Sequence, residues 1–282
     1  MEFAAQDKTA AWNLGEFVWT GFDYLGEPTP YNNDLTNLLN IQDPKERERL
    51  QKELTALGKI TPPSRSSYFG ILDLCGFPKD RFYLYQARWR PELPIAHILP
   101  HWNWPERVGQ VTPVHVYTSG DEAELFLNGQ SLGRKKKGPN EYRIIWDDVV
   151  YQPGELKVVA YKAGKQWAKD ERSTTGAAAK LITSSESFGT KGSEVVYVTI
   201  AVADEKGRTV PRSHPNLNFT VTGEAELLAA GNGDATSHVT MHQAKSMPAY
   251  NGLCQVILRR KGGGSFTLKV QSEGLSSATL TK

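Results

Sequence analysis

The amino-acid sequence predicts a mainly β fold, in which a mixed region of helices and strands precedes two immunoglobulin-like β-sandwiches. Short strand-like runs recur roughly every ten residues after residue 95, a spacing typical of small sandwiches. Turn dipeptides such as Asn128-Gly129 and Pro153-Gly154 separate several of these runs. Helical patterns are confined to the first region. The predicted regions are residues 1–95, 96–175 and 176–282.

The first region contains one predicted strand and two predicted helices. Residues 15–24 (GEFVWTGFDY) are rich in β-branched and aromatic side chains and are nearly continuously apolar, which predicts a strand buried on both faces. Residues 43–57 predict a charged helix with Asp43 as its N-cap. Residues 80–90 predict a second helix, because aromatic residues recur along one face.

The second and third regions predict strands throughout. In the second region they fall at residues 114–117, 123–127, 131–133, 142–146 and 155–161. In the third region, residues 194–203 alternate apolar and polar positions, as a half-buried strand does. Further strands are predicted at residues 218–222, 255–260 and 265–270. The small residues at 176–179 mark the link between the sandwiches.

The composition argues against several classes of protein. Of the 282 residues, 39% are hydrophobic and 23% are charged, which argues against wholesale disorder. A net charge of +2 is too small to indicate a nucleic-acid partner or an anionic membrane surface. No run of about 18 apolar residues predicts a membrane span. The first residues lack the basic and apolar pattern of a secretory signal.

Cysteine and histidine spacing predicts neither a disulfide nor a metal site. Cys75 and Cys254 lie far apart in the sequence and in different predicted regions. The six histidines show no metal-binding spacing on a helix. No cofactor is therefore predicted.

The order of several motifs resembles one enzyme family. Residues 15–31 (GEFVWTGFDYLGEPTPY) resemble the last barrel strand and following loop of glycoside hydrolase family 2, in its β-galactosidase branch. Residues 64–77 (SRSSYFGILDLCGF), 79–89 (KDRFYLYQARW) and 101–105 (HWNWP) resemble the segments that follow it there. In that branch a domain of unknown function and an immunoglobulin-like domain come after the barrel. The resemblance covers essentially the whole chain.

The resemblance implies a fold in which the last strand and helices of an incomplete (β/α)8 barrel precede the two sandwiches. In the family the active site lies at the C-terminal ends of the barrel strands. Retaining hydrolysis needs a nucleophilic carboxylate and an acid, about 5–5.5 Å apart. The family carries these two glutamates on strands seven and four, upstream of Met1. The 282 residues alone are therefore expected not to hydrolyse glycosides.

The intact enzyme would act on a β-galactoside or a related glycan. The sandwiches would buttress the barrel; shaping the pocket rim and forming a contact in a homo-oligomer stay open as further roles. Relatives of this branch are commonly exported to the periplasm, which implies a periplasmic or extracellular location for the intact enzyme.

The resemblance also assigns sugar-binding roles to three residues. Trp19 matches the family's strand-eight tryptophan, whose indole forms a wall of the sugar pocket; an aromatic face suits the C–H face of galactose. The other interpretation places Trp19 in the barrel core. Asp23 and Glu27 lie just past the strand, where they would hydrogen-bond sugar hydroxyls or, alternatively, cap a loop.

Two further sequence features and one rival function remain to be considered. The aromatic residues at 101–104 would form a glycan platform or, as we favour, seal the joint between the barrel and the first sandwich. The run RKKK at residues 134–137 predicts a solvated turn. A rival function is a non-catalytic carbohydrate-binding or scaffolding protein, with Trp146 and Trp167 on an exposed aromatic face. Strand alternation places at least one of these two tryptophans inward.

Overall fold

The computed structural model describes residues 13, 15–26, 44, 45, 48, 52, 66–138 and 140–282. Within them lie an α-helix, α1 (Asp80–Trp89), and fifteen strands, so the predicted mainly β fold is confirmed. Helix α1 agrees with the helix predicted at residues 80–90. Among the residues predicted to form the earlier helix, 43–57, the described ones (44, 45, 48 and 52) are helical, and the others lie outside the described residues.

The first sandwich consists of two facing sheets. Its strands are β1 (Ala96–Leu99), β2 (Val114–Thr118), β3 (Glu122–Leu127), β4 (Gln130–Lys136), β5 (Ile144–Trp146), β6 (Glu155–Lys162) and β7 (Lys165–Ser173). One sheet has the order β1-β2-β5 and the other β4-β3-β6-β7. Apolar side chains from both sheets, including Val116, Trp146, Leu125 and Val158, meet in one buried core.

A tight turn connects β3 to β4 as the sequence predicts. Asn128 and Gly129 have φ angles of 52° and 81°, the positive values that a type I′ turn requires. The Asn128 side chain accepts a hydrogen bond from the Glu155 amide at 2.8 Å and donates one to the Pro153 carbonyl at 3.2 Å. The two predicted turns of this sandwich are therefore fastened to each other.

The second sandwich contains eight strands in two sheets. They are β8 (Lys180–Phe188), β9 (Val195–Ala203), β10 (Asn216–Gly223), β11 (Ala225–Gly231), β12 (Ser246–Pro248), β13 (Leu253–Arg260), β14 (Phe266–Ser272) and β15 (Leu275–Thr281). The orders are β11-β13-β9-β8 and β15-β14-β10-β12, joined where Lys180 of β8 pairs in parallel with Ser276 of β15. On β9, the alternating residues Val196, Val198, Ile200 and Val202 are fully buried.

Two local predictions differ from the structure. Arg134, Lys135 and Lys136 lie on strand β4 rather than in a turn, because the Asn128-Gly129 turn has already reversed the chain. Their side chains are exposed, as the edge position of β4 in its sheet allows. Residues 15–24 form one isolated bridge, between Phe22 and Leu72, rather than a regular strand. No closed barrel lies within the described residues, so the barrel remains an implication of the resemblance.

The turn after β9 is held by a buried ion pair. The Asp204 side chain is only 2% exposed and accepts hydrogen bonds from the Arg208 guanidinium, at 2.6 Å and 2.9 Å. It also accepts the backbone amides of Gly176 and Arg208, both at 2.9 Å. This carboxylate thereby fastens the link between the sandwiches to the second one. The Arg208 guanidinium and these amides hold the pKa of Asp204 well below its ordinary value.

We expect the second sandwich to lose stability in acid through Asp204. A depressed folded-state pKa stabilises the protein above the unfolded-state pKa of about 4, and this contribution disappears as the pH falls through the folded value. The urea midpoint of the β9 and β13 amide resonances should therefore fall more steeply below about pH 4 in the parent than in Asp204→Asn. The neighbouring exposed carboxylate variant, Glu205→Gln, should retain the parent's slope; equal slopes in all three proteins would contradict this assignment.

Candidate functional site

Residues 15–26, here called the tryptophan segment, are paired along one side by residues 66–79, here called the pairing segment. The Ile71 and Leu72 amides donate to the carbonyls of Thr20 and Gly21, and the Asp23 amide donates to the Leu72 carbonyl, each at 3.0 Å. A Cβ on Gly70 would lie 2.2 Å from the Asp23 nitrogen, so the two backbones approach as closely as only glycine permits. The pairing segment thus fixes the path of the tryptophan segment.

Trp19 presents an exposed aromatic face. Its side chain is 70% exposed, and its indole N–H donates to the Tyr24 hydroxyl at 3.2 Å. The peptide bond between Trp19 and Thr20 is cis. Phe17 and Phe22, on the same segment, are 102% and 57% exposed. The segment therefore offers apolar and aromatic surface, and the hydrogen bond to Tyr24 orients the Trp19 indole.

Asp23 is buried beneath the pairing segment. Its side chain is 2% exposed, and the Lys79 ammonium lies 2.8 Å and 2.9 Å from its two oxygens. The Gly70 amide donates to the same carboxylate at 2.8 Å. Lys79 also donates to the Tyr68 carbonyl at 3.0 Å. The structure thus separates Asp23 from Trp19: the carboxylate is enclosed and fully engaged, while the indole faces outward.

The third residue assigned by the resemblance, Glu27, lies outside the described residues. The described part of the tryptophan segment ends at Gly26, one residue before it. Its sugar-binding role therefore stays a prediction.

The aromatic residues at 101–104 lie where the two sandwiches meet, and their predicted role in a joint with the barrel stays a prediction. Trp102 is fully buried in the first sandwich, where its indole N–H donates to the Gln152 carbonyl at 2.9 Å. The Trp104 ring stacks on His101 at 4.3 Å and lies 5.4 Å from the Arg212 guanidinium of the second sandwich. Burial and the nearby Arg212 charge lower the pKa of His101. These contacts fix one sandwich against the other.

The two tryptophans of the rival interpretation do not share an exposed face. Trp146 is 1% exposed and belongs to the core of the first sandwich. Trp167 is half-buried, and its indole N–H donates to the Ser119 hydroxyl at 2.8 Å. Strand alternation therefore gives the right outcome for Trp146.

A polar network joins helix α1 to the first sandwich. The Arg172 guanidinium donates to His97 Nδ1 at 3.0 Å, so Nδ1 is the acceptor and His97 Nε2 carries the proton. Nε2 donates to the Asp80 carboxylate at 2.7 Å. Tyr83 stacks on the imidazole with ring centroids 3.8 Å apart. Since both imidazole nitrogens are hydrogen-bonded within this network, the histidine fastens the helix to the sheet.

A contact that the sequence did not indicate brings the pairing segment against the second sandwich. Cys75 and Asp73 lie against Gly231 and Gly233: a Cβ on Gly231 would sit 2.8 Å from Cys75 Sγ, and one on Gly233 would sit 2.0 Å from Asp73 Oδ2. Burial raises the pKa of the Cys75 thiol to about 12 and also raises the pKa of Asp73. Burial also raises the pKa of the Cys254 thiol, and the charge of a Cys75 thiolate would raise it further. Both are free thiols.

Two other kinds of feature are absent from the described residues. No group of three or more His, Cys, Asp or Glu side chains in this part of the chain could hold a metal ion. No helix in the same part combines the length and apolar character needed to cross a bilayer.

Comparisons with known proteins agree with this arrangement. Residues 109–168 match a domain of unknown function, DUF4982, and residues 180–281 match "Glycoside hydrolase family 2 C-terminal domain 5". The β-galactosidase BoGH2A from Bacteroides ovatus is 38% identical over 270 residues, which cover 94% of this chain and 28% of that protein. A putative β-glucuronidase from Formosa agariphila is 32% identical over 253 residues, covering 88% of this chain and 22% of that protein.

A solved structure is similar over nearly the whole chain. The crystal structure of a β-glycosidase from Bacteroides vulgatus matches with a TM-score of 0.79 and 32% sequence identity, covering 98% of this chain and 32% of that one. This chain belongs to glycoside hydrolase family 2. Its second sandwich is similar to a C-terminal domain of that family, and the chain spans about a third or less of the length of these relatives.

Proposed function

We propose that these residues serve as the C-terminal portion of a retaining β-glycosidase of the β-galactosidase type, which hydrolyses O-glycosidic bonds. The observation that carries the proposal is the exposed Trp19 on a segment whose backbone is fixed by its neighbour. The 38% identity with a β-galactosidase over 270 residues supports the choice of galactoside. The similarity to a putative β-glucuronidase makes glucuronides the sugar to test beside it.

In this proposal Trp19 forms a wall of the sugar pocket. One face of galactose carries C–H groups, and an exposed indole provides the apolar, water-excluding surface that such a face needs. The indole N–H bond to Tyr24 leaves the ring faces available. Phe17 and Phe22 would meet the rest of the barrel, because apolar side chains this exposed usually mark surface that another element covers.

Asp23 takes the loop-holding role in this proposal rather than a direct sugar contact. Both of its oxygens already face Lys79, and Gly70 donates to one of them, so few acceptor positions remain for a hydroxyl. Glu27 keeps its proposed sugar contact, since it follows the tryptophan segment in the sequence. In this proposal Trp19 and Glu27 contact the sugar, and Asp23 supports the loop.

The same chemistry predicts that the 282 residues alone do not hydrolyse glycosides. A retaining enzyme needs two carboxyl groups about 5–5.5 Å apart beside the sugar, one to form the glycosyl-enzyme and one to protonate the leaving oxygen. Of the carboxylates described near Trp19, Asp23 is occupied by Lys79. Asp73 accepts the amides of Cys75 and Phe77 at 2.8 Å and 2.9 Å.

A chimera tests the proposed function. In it, these 282 residues replace the 270 matched residues of the Bacteroides ovatus β-galactosidase. We expect p-nitrophenyl β-galactoside to be hydrolysed by the chimera and left intact by the chain alone, with p-nitrophenyl β-glucuronide as the comparison substrate. Hydrolysis by the chain alone would refute the expectation that the two catalytic carboxylates lie outside these residues. A folded chimera that cleaves neither substrate would refute the assignment to this reaction.

A further inference from the structure

We propose that the second sandwich positions the tryptophan segment, through the contact of residues 231–233 with residues 73–77 of the pairing segment. The catalytic consequence rests on the proposed function, whereas the mechanical coupling does not. The C-terminal domain would then be part of the machinery that shapes the sugar pocket, although it contributes no side chain to the described site. The coupling has three steps, which lead from the second sandwich through residues 73–77 to the tryptophan segment.

The first step is the contact itself, which depends on two glycines. Gly231 and Gly233 are both buried, and an added Cβ would overlap Cys75 Sγ from the former and the Asp73 carboxylate from the latter. A real Cβ atom essentially never lies as close as 2.8 Å or 2.0 Å to another heavy atom, so either added methyl group would force an atom to move. The second sandwich therefore lies directly against the pairing segment with its backbone, leaving little room for relative movement.

The second step is the internal order of residues 73–77. The Asp73 carboxylate accepts the amides of Cys75 and Phe77, at 2.8 Å and 2.9 Å. Its backbone amide donates to the Phe77 carbonyl, and its carbonyl accepts the Gly76 amide, both at 3.0 Å. Four hydrogen bonds to one residue make this loop a closed unit, so a displacement at Cys75 moves both of its ends.

The third step connects those ends to the tryptophan segment. Leu72, immediately before the loop, exchanges backbone hydrogen bonds with Gly21 and Asp23. Lys79, just after it, holds the Asp23 carboxylate and donates its backbone amide to the Ile71 carbonyl at 3.0 Å. Both flanks of the loop therefore grip the chain directly after Trp19.

The second sandwich also contacts the first sandwich. Arg212 pairs with Glu106, next to the first sandwich, at 2.7 Å to both carboxylate oxygens, and its guanidinium lies over the Trp104 ring. Both hydrogen bonds come from one guanidinium nitrogen, and the two side chains are about half exposed, so the ion pair itself adds only modestly to the contact. The second sandwich consequently contacts both the first sandwich and the pairing segment, and it can transmit its position to the latter.

The variant Gly233→Ala tests the docking contact in the 282-residue chain. Gly207→Ala is the matched control: its φ is +81° against +78° for Gly233, but its Cβ would meet only the Ile182 side chain, at 3.7 Å. We expect iodoacetamide to alkylate Cys75 about tenfold faster in Gly233→Ala, and within about twofold of the parent rate in the control. Cys254 is fully buried and should stay unreactive. Equal rates in the two variants would overturn the docking.

The variant Gly231→Ala tests positioning, with a built-in rescue. Gly231 lacks a positive φ, so its added methyl group acts through the overlap with Cys75, and the second substitution Cys75→Ala removes that overlap. The chain is labelled with 5-fluorotryptophan, and the ¹⁹F resonance of Trp19 is assigned with Trp19→Phe. We expect this resonance to shift in Gly231→Ala and to return in the double variant. A resonance that is unmoved while Cys75 labelling accelerates would overturn the positioning role.

Both measurements are made without substrate, which separates them from the proposed function. If the chimera cleaves neither substrate but the Trp19 resonance follows Gly231→Ala and its rescue, the coupling stands and the reaction assignment fails. If the chimera is active and the resonance is unmoved, the coupling fails alone. A Gly231→Ala chain that does not fold, but regains its parent amide spectrum with Cys75→Ala, would still support the contact between the two residues.

Discussion

Replacing Trp19 with alanine is expected to lower kcat/KM of the chimera for p-nitrophenyl β-galactoside by about 100-fold. A sugar face that covers roughly half of an indole removes on the order of 100 Å² of apolar surface from water, which is worth about 3 kcal/mol. Each 1.4 kcal/mol corresponds to about a tenfold change in rate. The loss should appear in kcat/KM, because this constant compares the free enzyme and free substrate with the transition state, and the contact is absent from the free enzyme. Trp19→Phe, which keeps an aromatic face, should recover most of the activity.

Trp167→Ala is the matched control for this effect. It removes an indole of the same size from strand β7 of the first sandwich, where the ring is half-buried and hydrogen-bonded to Ser119. We expect kcat/KM of the Trp167→Ala chimera to remain within about threefold of that of the unsubstituted chimera, since no apolar wall of the pocket is lost. A Trp19→Ala chimera with parental kcat/KM and an unchanged amide spectrum would remove Trp19 from the pocket. A large loss with Trp167→Ala would instead favour the rival reading of a sugar-binding sandwich.

The strands could be predicted where the pattern is local. The alternation on β9 and the Asn128-Gly129 turn each depend on neighbouring residues, and the structure places the apolar residues inside and the turn at positive φ. Strand alternation also predicted that at least one of Trp146 and Trp167 faces inward, and Trp146 does so. The run at residues 134–136 shows the limit, because charge indicates exposure but does not distinguish an exposed edge strand from a turn.

The sequence motif pointed to Trp19 as a candidate site residue, but it did not indicate which residues pack around the candidate site. The position of Trp19 followed from a motif, whereas the partner of Asp23 lies 56 residues away, and nothing in the spacing points to Lys79. The contact of Cys75 with Gly231 was hidden for a similar reason, since a glycine gives no chemical signal that another segment packs against it. Long-range packing decided both, and a single sequence carries little information about it.

Replacing Lys79 with methionine is expected to loosen the tryptophan segment. Asp23 would lose its cationic partner in a site where its side chain is 2% exposed, with the Gly70 amide as the remaining hydrogen-bond donor. Removing one partner of a buried ion pair costs about 3–5 kcal/mol; because Lys79 is 32% exposed, we expect the lower end of that range. Amide hydrogen exchange of Asp23, Ile71 and Leu72 in the 282-residue chain should accelerate by about 100-fold.

Substituting Asp23 and substituting Lys79 should accelerate hydrogen exchange to different extents. This difference shows whether the unpaired buried carboxylate causes the loosening. Asp23→Asn alone leaves a cation that reaches water, so its effect should be smaller than that of Lys79→Met. The double variant removes both charges and should exchange more slowly than Lys79→Met alone, whereas Lys269→Met, an exposed lysine on β14, should match the parent. If the double variant exchanges as fast as Lys79→Met, the loss comes from the packing of the lysine stem. The buried carboxylate would then not be what holds the chain behind Trp19 in place.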